Sequence, residues 1–256
     1  MKRWLGTGAA SLWLSLVLAG TVVSSQAGGI AFSADMTQRG PEGVVSSGKL
    51  YVSGDKRRVE VSRGSESMVS IMDGTRGLAL TLFPSRQSYT EQKSPAGVVA
   101  VDAPADPCAG NPGAQCRSLG QEQVAGRDTE KWEVRYRQQG KTLTSHQWID
   151  RERRIPLRQE TSDGQRSELH FVGIEQLNGR EVEKWEMLSS QANKAPVSTF
   201  QWYDPQLGQA IRQELPGGYV SELSNIRVGD LDDKLFQAPA DYKKLSLPVP
   251  TVRSGQ

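Results

Sequence analysis

Two histidines, a few repeated glutamates and a set of tryptophans are the residues that could carry chemistry in this chain. A hydrolase triad would need His146 or His170 as its base, since the chain has 2 histidines in all. The sequence contains no GxSxG, HExxH, CxxC, GxGxxG or GxxxxGK[ST] motif. We therefore expect no catalytic residue, no metal site, no cofactor and no enzymatic activity.

Paired glutamates occur twice, each time with an arginine shortly before them. The two sets are Arg158, Glu160, Glu168 and Arg212, Glu214, Glu222. Two such carboxyl groups could act as the acid and the nucleophile of a glycosidase. Because the arginine recurs with them, we interpret the glutamates as cross-strand partners of Arg158 and Arg212 in a sheet.

These sets belong to an internal repeat over residues 119–226. Residues 126–133 align with 179–186 at an offset of 53, and residues 147–150 align with 201–204 at an offset of 54. A one-residue difference in a hairpin loop explains the change of offset. Repetition over this length indicates a duplicated structural unit.

The repeat also bears on the two histidines. His146 aligns with Phe200, which favours a histidine that packs beside Trp148 or forms a hydrogen bond. His170 and Glu168 lie close together in one predicted strand, and we interpret them as a local ion pair. Neither position favours catalysis.

Alternating polar and apolar residues predict antiparallel strands throughout the chain. The strands predicted for the first repeat unit are 118–125, 129–138, 141–150 and 154–161. Gly126 and Gly179 precede a strand in each unit, where a hairpin turn requires positive φ. Short strands also fill residues 30–93, so we expect a mainly β fold, a curved antiparallel sheet with few helices.

Every tryptophan after residue 27 lies in the repeat. These side chains either anchor the core of a curved sheet or form an aromatic wall for an apolar ligand or a sugar. With their apolar neighbours they give the candidate ligand-facing residues. The candidates are Trp132, Val134, Tyr136, Trp148, Trp185, Met187, Phe200 and Trp202.

The N-terminus predicts export. Lys2 and Arg3 precede an apolar run over residues 12–23, and residues 25–27 (Ser-Gln-Ala) have small side chains where a signal peptidase requires them. Residues 1–27 are therefore predicted to be a signal peptide, removed on export to the periplasm. The apolar run is short for a membrane anchor.

Charge and composition exclude further classes of protein. The 256 residues include 31 Lys and Arg against 29 Asp and Glu, with 36% hydrophobic residues and a mean hydropathy of −0.52. Without Lys2 and Arg3 the balance is 31 − 2 = 29 bases against 29 acids. A neutral, polar chain indicates neither a nucleic-acid-binding protein nor an integral membrane protein.

The two cysteines predict one structural disulfide. Cys108 and Cys116 lie in a stretch rich in proline and glycine, and an exported protein meets an oxidising compartment. The domain order that we expect is a signal peptide (1–27), N-terminal strands (28–93), a disulfide-pinned loop (94–117), repeated β units (118–245) and a disordered tail (246–256).

Several stretches resemble the LolA/LolB-type superfamily of outer-membrane lipoprotein carriers. They are Phe32–Gln38, Gly48–Val52, Asp73–Thr75, Phe83–Pro84 and Leu235–Tyr242. The resemblance implies an unclosed, strongly curved antiparallel half-barrel, here without the helix that normally precedes the first strand. It also implies an apolar cavity that binds acyl chains without a cofactor. RseB-like periplasmic regulators share this architecture.

Two functions are compatible with these features. The first is a non-enzymatic periplasmic protein that binds or carries an apolar ligand, an acyl chain, a lipid or a lipoprotein, on the concave face of the sheet. The alternative is an envelope interaction or regulatory protein that binds another protein, as RseB-like proteins do.

Overall fold

The computed structural model describes residues 30–64, 66–93, 107–108, 113–138, 140–192 and 194–246. The predicted signal peptide lies outside the described residues. So do most of the predicted loop between residues 94 and 112 and nearly all of the predicted tail. Cys108 and Cys116 form the predicted disulfide.

The described residues form sixteen strands, numbered in chain order. The strands are β1 (Phe32–Gly40), β2 (Gly43–Ser53), β3 (Lys56–Arg63), β4 (Glu66–Asp73), β5 (Leu78–Phe83), β6 (Ser88–Lys93), β7 (Gln115–Val124), β8 (Arg127–Gln138), β9 (Lys141–Asp150), β10 (Pro156–Thr161), β11 (Arg166–Leu177), β12 (Arg180–Ser190), β13 (Val197–Asp204), β14 (Gln209–Leu215), β15 (Tyr219–Val228) and β16 (Lys243–Lys244). Two short 3-10 helices cover Pro84–Arg86 and Asp233–Phe236. Within the described ranges, no helix has the length and apolar character of a membrane span.

All the strands join one sheet, in which β1 links two meanders. The order across the sheet is β16, β6, β5, β4, β3, β2, β1, β15, β14, β13, β12, β11, β10, β9, β8, β7. Its end strands, β16 and β7, do not pair with each other in the part of the chain that the structure describes. The predicted mainly β fold, a curved and unclosed sheet of half-barrel type, is therefore confirmed, and the repeat widens this one sheet.

Each repeat unit supplies four consecutive strands, β7–β10 and β11–β14. The hairpin turns that open the two units have left-handed φ angles at both central residues, 52° and 75° at Ala125 and Gly126, and 54° and 76° at Asn178 and Gly179. The positive φ predicted for the two glycines is confirmed, and such turns suit the twist of a tight hairpin. The first strand of the repeat, β7, begins at Gln115, inside the predicted loop.

Three apolar clusters hold the sheet together. The first joins the second repeat unit to β1 and β2, the second joins the two units, and the third lies on β4 and β5. The first cluster is Phe32, Ala34, Leu50, Val182, Trp202, Leu207, Ile211 and Leu223. The second is Val124, Trp148, Ile155, Leu157, Leu169, Trp185 and Tyr203. The third is Val69, Ile71, Leu80, Leu82 and Phe236.

The C-terminal segment closes the end of the sheet formed by the N-terminal strands. Phe236, 1% exposed, packs into the third cluster. The strand β16 then runs parallel to β6, where the backbone N–H groups of Lys243 and Leu245 donate to the carbonyls of Gln87 and Tyr89 at 2.9 and 2.7 Å. This edge of the sheet is therefore partly covered by the chain itself.

Candidate functional site

A row of five side chains crosses each repeat unit, one residue from each of five neighbouring strands. The first row, from β7 to β11, is Glu122, Lys131, Trp148, Arg158 and Glu168. The second row, from β11 to β15, is Glu175, Lys184, Trp202, Arg212 and Glu222. Lysine, tryptophan, arginine and the last glutamate of each row lie directly opposite one another in the register of the sheet.

Trp148 lies at the centre of the first row and is 4% exposed. Its Nε1 donates a hydrogen bond to Glu122 Oε2 at 2.6 Å. Lys131 Nζ and Arg158 Cζ lie 4.7 and 5.4 Å from the centroid of the tryptophan ring, within the range of cation–π attraction. Arg158 in turn donates two hydrogen bonds to Glu168, at 2.9 and 3.0 Å.

The second row repeats these contacts. Trp202 Nε1 donates to Glu175 Oε2 at 2.6 Å, and Lys184 Nζ and Arg212 Cζ lie 4.8 and 5.2 Å from the ring centroid. Arg212 Nη1 donates to Glu222 Oε2 at 2.9 Å. The predicted cross-strand pairing is confirmed for Glu168 with Arg158 and for Glu222 with Arg212. It is wrong for the other two glutamates, because Glu160 pairs with Arg166 and Glu214 pairs with Arg212 within the same strand.

The charges of the first row act on one another. Hydrogen bonds from Lys131 and Trp148 hold the pKa of Glu122 below its usual value. The hydrogen bond from Arg158 lowers the pKa of Glu168, and it raises the pKa of Arg158. A carboxylate that is kept ionised and paired in this way is poorly suited to act as a general acid.

The register divides the predicted ligand-facing residues between two faces of the sheet. Lys131 lies opposite Trp148, whereas Trp132 lies opposite Gln147, and side chains alternate along a strand. The face of the rows carries Trp148, Phe200 and Trp202. The opposite face carries Trp132, Val134, Tyr136, Trp185 and Met187. The register therefore does not place these residues on one face of the sheet, although Trp148 and Trp185 both contribute to the second cluster.

Half of these side chains are also buried. Trp185 is 3% exposed and Trp202 6% exposed, and Val134 is buried as well. The half-buried members are Trp132, Tyr136, Met187 and Phe200. Among the described residues, the buried Trp132 Nε1 has no hydrogen-bond partner. The counterpart Nε1 of Trp185 donates to Glu183 Oε2 at 2.9 Å.

The two histidines lie beside glutamates on the face of the rows. His146 Nε2 lies 3.8 Å from Glu133 Oε2, and His170 Nε2 lies 3.7 Å from Glu168 Oε1. The latter distance agrees with the predicted ion pair. Within the described ranges there is no group of three or more histidine, cysteine, aspartate or glutamate residues that could hold a metal ion.

A repeated aspartate, absent from the candidates predicted from the sequence, ends one strand in each unit. Asp150, at the end of β9, accepts backbone hydrogen bonds from Glu152 and Arg153 at 2.8 and 2.9 Å, and its second carboxylate oxygen pairs with Arg127. Burial would raise the pKa of Asp150, but these hydrogen bonds outweigh it and lower the pKa. The counterparts are Asp204 in β13 and Asp73 in β4.

The turn after this aspartate reveals a third copy among the N-terminal strands. The fourth residue after each aspartate has a left-handed backbone conformation, with φ of 61° at Gly77, 59° at Arg154 and 68° at Gly208. An aspartate followed by a glycine four residues later, at 73–77 and 204–208, is the sequence signal for this relationship.

The repeat units are displaced from one another along the strands. Glu168 in β11 lies opposite Arg158, which lies opposite Trp148. Trp148 in turn lies opposite Lys131, and Lys131 lies opposite Gly120 in β7. The repeat counterpart of Gly120 is Gly173, which follows Glu168 by 173 − 168 = 5 residues. At about 3.4 Å per residue, one unit is shifted by roughly 17 Å against the next.

The same displacement recurs in the second unit. From Glu222 in β15, opposing residues lead across β14, β13 and β12 to Gly173 in β11. The counterpart of Gly173 at the offset of 54 is Arg227, and 227 − 222 = 5 residues.

This displacement leaves the end of a strand projecting past its neighbour in each unit. The first step is residues 170–177 of β11, because β10 pairs with β11 only at residues 166–168. The second step is residues 223–228 of β15, because β14 pairs with β15 only at residues 219–222.

The first step exposes apolar side chains. Phe171, Val172 and Ile174 are 48%, 52% and 55% exposed. Val172 is the extra residue of a β-bulge, since the register passes from the pair Phe171–Trp185 to the pair Gly173–Lys184. The Phe171 ring meets the buried Trp185 ring edge-on, with centroids 5.2 Å apart.

An ion pair lies beside the first step. Arg153, in the turn between β9 and β10, donates two hydrogen bonds to Glu183 in β12, and its Cζ lies 5.6 Å from the centroid of the Trp185 ring. Burial would raise the pKa of Glu183, but hydrogen bonds from Arg153 and Trp185 outweigh it and lower the pKa. Burial raises the pKa of the neighbouring Tyr203 to about 12.

The second step has apolar residues in the corresponding interior places. Three residues after the turn aspartate, the second step has Leu207 where the first step has Arg153. In the first step Ile174 lies opposite Glu183, whereas its counterpart Val228 lies opposite Phe32. Leu207 and Phe32 are buried in the first cluster.

The bulge residue and its neighbour differ between the steps as well. The counterpart of Val172 is Ile226, which is half-buried against the first cluster, and the counterpart of Phe171 is Asn225. The second step is therefore covered by its own chain at the bulge position, where the first step is open, whereas Val228 is 54% exposed, like its counterpart Ile174.

Comparison with known proteins finds similar structures of low sequence identity. A LolA superfamily protein from Nitrosomonas europaea matches with 12% identity and a TM-score of 0.38, over 84% of this chain and 92% of that chain. An outer-membrane lipoprotein-sorting protein domain from Vibrio parahaemolyticus matches with 13% identity and a TM-score of 0.33, over 81% and 89% of the two chains. MucB in complex with MucA matches with 14% identity and a TM-score of 0.21, over 79% and 94%.

No family model matches the sequence, and no curated protein matches it.

Proposed function

We propose that this protein is an exported, non-catalytic binding protein that holds an apolar group of its ligand at the first step. The observation that carries this proposal is the exposure of Phe171, Val172 and Ile174, each about half exposed on one projecting strand end. Adjacent exposed apolar side chains of this kind mark interaction sites.

The difference between the two steps supports this location. The second step shows that this fold can close the same place with Leu207 and Ile226. At the first step those positions are Arg153, which is paired with Glu183, and the exposed Val172. An apolar ligand group would cover Val172 as the first cluster covers Ile226.

The rows make the central tryptophans less accessible to a ligand. Trp148 and Trp202 are buried and flanked by cations, so a ligand reaching either ring would have to displace Lys131 or Lys184 from it. Trp185 is the predicted candidate residue that touches the first step, through Phe171.

Export is supported by the predicted leader at residues 1–27 and by the disulfide between Cys108 and Cys116. A disulfide of this kind persists in an oxidising compartment such as the periplasm. The absence of catalysis is proposed because the repeated carboxylates of the described residues are engaged with arginines and lysines.

Binding of a fluorescent fatty acid to the purified protein tests the proposal. We expect saturable binding that weakens by at least about tenfold in the double variant Val172→Ser/Ile174→Ser, because each buried aliphatic side chain contributes about 1.5–3 kcal/mol. The matched control is Val44→Ser, which changes a valine that is 64% exposed on β2, away from the first step. Equal binding by the double variant and the unaltered protein would show that the fatty acid does not bind at the first step, and the proposal would be wrong.

A further inference from the structure

The backbone of the first step has an open side. The strand β12 pairs with β11 along the whole of residues 166–177, whereas β10 stops pairing at Glu168. In an antiparallel sheet the N–H and C=O groups of a strand point alternately to its two sides. Half of the backbone groups of residues 170–177 therefore face no strand among the described residues.

This open side lacks the features that usually block pairing with another strand. The first step reads His-Phe-Val-Gly-Ile-Glu-Gln-Leu from 170 to 177, without proline or lysine. Its one acidic residue, Glu175, is already bound by Trp202 and Lys184. Phenylalanine, valine and isoleucine favour extended structure.

The protein covers another edge of its sheet by adding a strand. At β6 the short strand β16 supplies two backbone hydrogen bonds, and Phe236 of the same segment fills an apolar site close by. Backbone pairing together with an apolar anchor therefore already operates within this chain. The first step offers both elements, an unpaired backbone and exposed apolar side chains.

We infer that the first step binds an extended polypeptide segment of a partner protein, which adds as a strand along residues 170–177. This inference rests on the proposed function and names the partner class. Apolar residues of the segment contact Val172 and Ile174, while its backbone pairs with the open side of β11. A polypeptide is favoured over an acyl chain because an acyl chain would cover the side chains but leave the backbone donors and acceptors unpaired.

A library of random peptides displayed on phage, each about nine residues long to span the first step, provides the probe. Enriched peptides are synthesised unmodified and in two N-methylated forms, one with methyl groups on the odd amides and one on the even amides. The purified full-length protein is titrated with each form. N-methylation removes the backbone donors on one edge of the peptide and leaves its side chains in place.

Strand addition predicts that one N-methylated form loses binding and the other keeps it, because only one edge of the peptide faces β11. The double variant Val172→Ser/Ile174→Ser should bind the unmodified peptide at least about tenfold more weakly, a change of about 1.4 kcal/mol or more. Leu119→Ser, at the counterpart bulge in β7, should leave binding unchanged. Bound peptide should also slow amide hydrogen exchange in residues 170–177.

Other results would overturn the inference. Equal binding of both N-methylated forms, loss of binding in Leu119→Ser alone, or no enriched peptide would each contradict strand addition. If the fatty acid binds at the first step and no peptide does, the proposed function stands and the partner class is wrong. If neither binds there, both are wrong. Peptide binding without fatty-acid binding would support the inference and restrict the apolar group to amino-acid side chains.

Discussion

The two steps are built from corresponding residues of a duplicated unit, yet only the second packs its bulge residue against an apolar cluster. The second step buries Leu207 and Phe32 together, where the first step has the ion pair of Arg153 and Glu183. The tryptophan contacts of the rows and the aspartate turns, by contrast, recur in both units. The repeated contacts set the geometry of the sheet, and a few replacements at the step decide whether its surface is covered.

The rows should make the largest contribution to stability. Trp148→Ala or Trp202→Ala removes a buried ring from between two cations, and each should lower the free energy of unfolding by about 3–5 kcal/mol. Urea denaturation measures both. If the rows are equivalent, the two losses agree; a loss of less than about 1 kcal/mol in one variant would show that its row is not structural.

Replacing Arg153 with the residue of the second unit tests the interior of the first step. Arg153→Leu leaves the half-buried carboxylate of Glu183 without a cationic partner, and should lower the free energy of unfolding by about 3 kcal/mol. The double variant Arg153→Leu/Glu183→Phe reproduces the apolar pair of the second step and should recover most of that loss. Denaturant unfolding of all four proteins forms a double-mutant cycle, and equal stability of the single and double variants would contradict the comparison.

The aspartate turn should make stability depend on pH. The pKa of Asp150 is lowered in the folded protein, so its contribution is present above the ordinary aspartate pKa and is lost as pH falls through the folded value. Asp150→Asn should cost about 2 kcal/mol near pH 6. The difference from the unaltered protein should shrink towards about pH 3. Urea denaturation of both proteins at the two pH values measures this difference in stability. A difference that stays the same at both pH values would contradict the expected ionisation of Asp150.

The bulge residues should show the smallest effect and the sharpest contrast. Ile226→Ser removes a half-buried side chain from the first cluster and should cost about 1 kcal/mol, whereas Val172→Ser changes an exposed residue and should stay within about 0.5 kcal/mol. Thermal unfolding of the two variants compares them directly. A larger loss in Val172→Ser would mean that the first step is covered by the chain itself.

Much of this architecture can be predicted from the sequence because it is local or repeated. The alternation in Trp132–Tyr136 predicts a strand with one apolar face, and Gly126 and Gly179 predict the turns before it. The pairing of Glu168 with Arg158 follows from their joint recurrence as Glu222 and Arg212. These features depend on residues that lie close together or that occur twice.

The candidate surface could not be predicted because it depends on register. Whether Trp132 and Trp148 share a face is decided by the register of β8 against β9, since a shift of one residue moves every side chain of a strand to the other face. Val172 is the single extra residue of a bulge in β11, and Leu119 is the extra residue of the corresponding bulge in β7. Because both copies contain the bulge, the offset between them does not reveal it.

The third copy of the turn is hidden by substitution. Ile71 lies where the repeat units have Trp148 and Trp202, and Leu80 lies where they have Arg158 and Arg212. The N-terminal strands bury these apolar residues beneath Phe236, so the row is not needed there. Only Asp73 and Gly77 retain the signal of the turn.

The displacement of five residues for every four strands also determines the tilt of the strands relative to the axis around which the sheet curves. An advance of roughly 17 Å along the strands over about 19 Å across them corresponds to a tilt of about 40°, the value found in sheets that roll up. Both units therefore displace the sheet by the same distance along the axis around which it curves. A further unit of the same kind would lengthen the sheet and leave the tilt of its strands unaltered.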